Sequence, residues 1–96
     1  MSYYFLAQIK INDTEEYQRY IDNSEAVFSK YNGKYLAVDK DPEIIEGEFT
    51  YSRAVLIRFE QKKDFEKWYY SDDYQHILKH RLAAADCNSI LIRGSD

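Results

Sequence analysis

A chain of 96 residues, 45% hydrophobic and 31% charged, is one globular domain over residues 1–96, with a core limited by its size. Its net charge of -4, with basic residues interleaved among acids as in Arg58-Phe59-Glu60-Gln61-Lys62-Lys63-Asp64, lacks the clustered positive face that nucleic-acid binding needs. One cysteine, no signal-peptide pattern and no segment long enough to cross a bilayer predict a cytoplasmic protein with no membrane partner.

Tyr3 to Ile11 reads as a strand, with Phe5, Ala7, Ile9 and Ile11 on one face. Asp13 as N-cap and Glu16 three residues on form a capping-box pattern, so a helix starts there and runs to about Lys30. Its buried stripe is Tyr17, Tyr20, Ile21, Val27, Phe28 and Tyr31, and Asn32-Gly33 ends it. Tyr35 to Val38 is a second strand. Residues 39–52 are too many for a tight hairpin, and Asp41-Pro42 is a turn signal. The part-apolar run Ile44-Ile45-Glu46-Gly47-Glu48-Phe49 predicts that this loop packs onto the fold.

Arg53 to Phe59 is the clearest strand, with Val55, Ile57 and Phe59 on one face and Ala54 and Leu56 on the other. A short helix follows with Phe65, Trp68 and Tyr69 inward. Ser71 then caps a second helix whose first turn carries Asp72 and Asp73, matching the helix dipole. Tyr74, Ile77, Leu78, Leu82 and Ala85 form its apolar stripe, with Arg81 near the centre. Cys87 to Arg93 closes the chain as a strand.

The order β-α-β-β-α-β is the ferredoxin-like arrangement, an α+β fold with an antiparallel sheet. Helices cover one face of such a sheet, yet Leu6, Leu36, Ala54, Leu56 and Leu91 would leave the other apolar. A homodimer joined through its sheet faces is therefore expected.

Arg81 is the sharpest pointer to a site. A guanidinium stays charged, and burying it without a partner costs several kcal/mol. Either a carboxylate of the chain (Glu46, Glu48 or Asp86) meets it, or it anchors an acidic ligand in a cleft walled by Tyr31, Trp68, Tyr69 and Tyr74. Glu46 would be the second polar fixture of that cleft and a candidate acid–base group, its pKa raised by desolvation or lowered beside Arg81. His76 and His80 have a metal-compatible spacing, but they lie opposite the apolar stripe with no third ligand, which favours solvated helix residues. Cys87 has no cationic neighbour in sequence and reads as an inert thiol. No axial haem ligand, glycine-rich phosphate loop or cofactor motif is recognisable, so no cofactor is expected.

Tyr31-Asn32-Gly33-Lys34, Glu46-Gly47-Glu48-Phe49, Arg53-Ala54-Val55-Leu56-Ile57-Arg58-Phe59, Trp68-Tyr69-Tyr70-Ser71-Asp72-Asp73-Tyr74-Gln75 and Arg81 resemble, in this order, the family known as domain of unknown function 1330. The chain departs from it at Asp72, where proline is frequent, and at Asn32, which replaces the first glycine of a pair. The resemblance implies a dimeric α/β barrel, a small cytoplasmic dimer without an established activity. The wider superfamily includes cofactor-free monooxygenases, haem-degrading enzymes, chlorite dismutase-like proteins and stress-response proteins, which share the barrel and not the chemistry. The leading expectation is a protein binding a small acidic or aromatic molecule between helices and sheet. The alternatives are a cofactor-free oxygenase or isomerase, and a structural or stress-related dimer in which Arg81 is satisfied internally.

Overall fold

Alternating apolar residues in the first and third strands decide how the sheet is laid down. The structure, a computed structural model, describes residues 1–96. In chain order it contains β1 (Tyr3–Ile11), α1 (Thr14–Phe28), β2 (Gly33–Asp39), β3 (Arg53–Phe59), α2 (Lys62–Tyr69), α3 (Asp72–Ala84) and β4 (Ala85–Arg93). The strands form one antiparallel sheet in the order β2-β3-β1-β4, the ferredoxin-like topology. Phe5 on β1 lies opposite Ile57 and Leu91, Ala7 opposite Val55 and Ser89, and Ile9 opposite Arg53 and Cys87. Side chains alternate across a strand, so these rows share one face. There Phe5, Ala7, Ile9, Val55, Ile57 and Phe59 are buried together with Tyr17, Phe28, Trp68, Tyr74 and Ile77 of the helices.

That register corrects the expected outer face. Leu91 sits in the row of Phe5 and Ile57 and packs on the core, whereas Ile90 and Ile92 point outward and are largely exposed. Ile90-Leu91-Ile92 is apolar throughout and carries no alternation, so only pairing with β1 sets its parity. The outer face then has one apolar row across all four strands, Ile90, Leu6, Leu56 and Ala37. A bulge between Tyr35 and Ala37 lets Tyr35 and Val38 both pair on the helix side.

Helix α1 is fastened more to α3 than to the sheet. Asp13 caps it, accepting from the Glu16 N–H at 3.1 Å, but the Glu16 carboxylate does not close the box. It turns instead to Arg19 and to His80 Nδ1 (2.8 Å), while the Asp13 N–H donates to the Ala84 carbonyl. His80 is thus a half-buried helix–helix contact and not a solvated residue, whereas His76 is exposed. Lys30 Nζ and the Tyr31 hydroxyl both donate to Asp73 on α3, at 2.8 and 3.1 Å, and the Tyr20 and Tyr74 hydroxyls bond at 2.8 Å. Ser71 Oγ caps α3 by accepting from the Tyr74 N–H. The buried stripe of α3 is Tyr74, Ile77, Leu78, Arg81 and Ala84; Leu82, at its margin, is 60% exposed because the stripe is centred on Arg81. The loop after β2 also differs from expectation: Phe49 and Tyr51 pack on each other, while Ile44 and Ile45 are exposed. No helix is long and apolar enough to cross a membrane.

Candidate functional site

Because α1 leans on α3, a cleft of about 480 Å³ opens between α1 and the β2–β3 half of the sheet. Its floor is Phe5, Ala7 and Ile9 of β1 with Arg53, Val55 and Ile57 of β3. Tyr17, Tyr20, Ile21, Ser24, Glu25 and Phe28 of α1 form the roof, and Tyr35 and Val38 of β2 form one rim. Trp68 and Arg81 complete the wall. The size and the mainly apolar, aromatic lining are those of a small-molecule site.

Two guanidiniums occupy this cleft. Arg81 is 2% exposed, and its Cζ lies 5.7 Å from the centre of the Tyr20 ring. Arg53 is half-buried, its Cζ 5.7 Å from the centre of the Tyr17 ring. The two rings are themselves 5.7 Å apart, so each cation rests on one member of a tyrosine pair. The ion pairs of the chain join Arg19 to Glu16, Lys30 to Asp73, Arg58 to Asp96 and His80 to Glu16; neither Arg53 nor Arg81 belongs to one. Both Nε atoms are buried without an acceptor.

The neighbouring phenols do not supply the missing charge. Burial pushes Tyr74 up to about 12 and Tyr20 well above the ordinary tyrosine range, so both stay neutral. Trp68, 1% exposed, is held by Phe5, Phe28, Phe59 and Tyr74, and its Nε1 is also buried without an acceptor. Burial raises the pKa of Cys87, which makes its thiol a poor nucleophile.

The residues singled out from the sequence are only partly brought together. Arg81 and Trp68 line the cleft. Tyr74 lies behind its wall, bonded to Tyr20 and packed 4.3 Å from Trp68 between ring centres. Tyr69 stacks on Phe65 and faces a separate, shallower depression that includes Tyr70 and Ile90. Tyr31 is engaged with Asp73 and does not line the cleft. Glu46 and Glu48 are exposed on the loop after β2, and Asp86 accepts from Asn12, so none of the three carboxylates considered for Arg81 pairs with it. Glu46 is exposed with the rest of residues 43–48, where the loop turns through Gly47 at φ 77°.

The sequence reading missed Arg53, Glu25 and Tyr35, and did not place Tyr17 and Tyr20 at a site. A signal existed for Arg53. It stands two residues before Val55 and so shares the apolar face with Val55, Ile57 and Phe59, the kind of conflict that singled out Arg81. Glu25 is the one carboxylate of the lining.

No curated protein matches the sequence. Among solved structures, the chain is similar to the RPA0582 protein of unknown function from Rhodopseudomonas palustris, with 18% identity and a TM-score of 0.83 over 99% of this chain and 83% of that one. It is similar to SnoaB, a cofactor-independent oxygenase from Streptomyces nogalater, with 10% identity and a TM-score of 0.68 over 99% and 94% of the two chains. It also resembles a dimeric ferredoxin-like protein of unknown function from Thermobifida fusca, with 15% identity and a TM-score of 0.65 over 98% and 92%. At these identities the likeness is one of fold, and it agrees with the strand order found here. The family described as Domain of unknown function (DUF1330) matches residues 2–95, and the chain belongs to that family.

Proposed function

We propose that this protein binds a small acidic molecule with an aromatic or apolar body in the cleft between α1 and the sheet, its anionic end held by Arg81. The observation that carries this is a buried guanidinium on an aromatic cleft wall with no carboxylate of the chain beside it. A cation so placed destabilises the fold unless an anion joins it, which is what a binding site for an acid requires. A hydrogen bond to a charged group contributes about 1.5–3 kcal/mol, roughly ten- to a hundredfold in affinity. Calorimetric titration with benzoate and phenylacetate tests the reading. Both acids bind, their methyl esters bind at least tenfold more weakly, and Arg81→Met removes the difference. Equal binding of acid and ester, or of wild type and variant, defeats the proposal.

The protein acts as a homodimer in this reading, joined through the apolar outer sheet face; the Thermobifida fusca relative is described as dimeric. A second reading makes it a cofactor-free oxygenase or isomerase. Its support is the SnoaB likeness and the presence of Glu25, a candidate base, in the cleft lining. Oxygen uptake, or proton exchange on a bound acid, lost in Glu25→Gln, would separate turnover from binding.

A further inference from the structure

The cleft under α1 has two unlike ends. At one, Phe5 on β1 lies opposite Ile57, which pairs with Tyr35 on β2; Phe28 packs on Tyr35 and Trp68 on Phe5. Four residues further along β1, about 13 Å away, Ile9 lies between Arg53 on β3 and Cys87 on β4. Arg81 reaches this second end from α3, whose last residue, Ala84, accepts from the Asn12 N–H just beyond β1. The two guanidiniums rest on the paired rings of Tyr17 and Tyr20, so three steps of 5.7 Å bound their separation. Both also oppose the rise that burial imposes on the Tyr17 pKa. Arg81 does the same at Cys87, across Ile9 from Arg53.

No carboxylate of the chain stands between these cations. Glu25 is exposed and lies eight residues, about 12 Å, along α1 from Tyr17. Glu16 is engaged by Arg19 and His80. Asp86 pairs with Lys10, one place from Ile9 along β1 and so on the opposite face of the sheet. Two like charges at one end of an apolar cleft repel each other, and a ligand that neutralises only one leaves the other unmatched. Only the Nε of each guanidinium is buried and unpartnered, so the Nη atoms are what a ligand in the cleft meets.

From this we infer that the ligand carries a doubly charged head, a phosphate monoester or two neighbouring carboxylates, held between Arg81 and Arg53. Its aromatic body points towards Phe28 and Trp68. The inference rests on the acid-binding reading above and goes beyond it, since that reading asks for one anionic group and one arginine. Guanidinium forks match the oxygens of either head, and a dianion lets both forks be filled at once. Arg53 is then the residue that selects ligands by charge.

Two pairs of probes differ by one ionised oxygen: phthalate against its monomethyl ester, and phenyl phosphate against its monomethyl ester. At about pH 8, above the second phosphate pKa of about 6, the first member of each pair is a dianion and the second a monoanion. In calorimetric titration at least one dianion should bind about tenfold more tightly than its ester, the effect of one added charge-assisted hydrogen bond. The pair that shows the preference distinguishes phosphate from dicarboxylate. Arg53→Met should bring that dianion down to the affinity of its ester, and Arg53→Lys should keep part of the difference. Should neither variant fold, the native protein decides through its arginine Nε–H signals in a proton–nitrogen correlation spectrum. The dianion should shift those of both Arg53 and Arg81, and the ester that of Arg81 alone. If neither dianion outbinds its ester, or the preference survives in Arg53→Met, the doubly charged head is wrong while the acid site stands. If benzoate and all four probes fail to bind, both fall.

Discussion

Arg81 sets stability against binding. It occupies the centre of the α3 stripe, where Ile77, Leu78 and Ala84 are buried around it, and it meets no carboxylate. Replacing a buried charge by an apolar side chain of similar length is often stabilising, by about 1–4 kcal/mol; here the open cleft puts the gain near the lower end. Arg81→Met should therefore raise the urea midpoint of the ligand-free protein while abolishing acid binding. Benzoate should raise the melting temperature of wild type and leave the variant unmoved. A variant less stable than wild type would mean that the guanidinium is structurally satisfied, and the site would lose its main support. At this scale the sequence was legible wherever charge and apolar periodicity collided. Arg81 breaks the stripe of α3 and Arg53 the alternation of β3. The position of Glu46 was not legible, because apolar neighbours in the chain say nothing about where a long loop goes.

At the scale of elements, Gly33 and Gly47 are required for different reasons. Gly33 has an ordinary φ, but a Cβ there would sit 2.6 Å from the Phe59 ring. Gly47 has open space around it and a φ of 77°. Gly33→Ala should cost about 1–3 kcal/mol as overpacking of the core. Gly47→Ala should cost about 1–2 kcal/mol as left-handed backbone. Asparagine tells them apart in denaturant titrations, being tolerated at position 47, whose φ it adopts, and more damaging than alanine at position 33.

The α1–α3 fastening has a pH signature of its own. The Lys30 hydrogen bond, with help from Ser71 and Tyr31, holds Asp73 down at about 2, below its ordinary 3.8. Its folded pKa is depressed, so its contribution is full above the unfolded value and disappears as pH falls from about 4 to about 2. Asp96, lowered to about 2 by its bonds to Ser2, titrates in the same window. The urea midpoint of wild type should fall across that window. Asp73→Asn should begin lower and fall less, Asp96 accounting for the remainder. An identical slope in the variant would show that the α1–α3 contact carries no pH-dependent stability. The elements themselves were readable because caps and alternation are local, but the α3–β4 junction was not, since Ala85, expected in the helix stripe, opens β4; nor was the cleft beside α1, because it depends on side-chain contacts between α1 and α3.

For the molecule as a whole, the two faces of the sheet divide the work. The inner face carries the core and the cleft, and the outer face is crossed by Ile90, Leu6, Leu56 and Ala37, with Ile92 and Leu36 beside them. Alternation in β1 and β3 was enough to predict that the outer face is apolar. The parity of β4 was not legible, and correcting it strengthens the argument by exchanging one outward leucine for two isoleucines, 56% and 41% exposed. A face this apolar fits a second copy of the same surface across a two-fold axis, and a stable dimer needs about 1,200–2,000 Å² of buried surface. Leu56 lies on β3, inside the sheet, at the middle of the apolar row. Leu56→Lys would bring two ammonium groups towards the same axis without touching the cleft. Light scattering should give a dimer for wild type and a monomer for Leu56→Lys, with benzoate affinity reduced less than threefold. A variant that remains dimeric would move the interface to another surface. A monomer that no longer binds acid would mean that the cleft depends on the partner across the sheet.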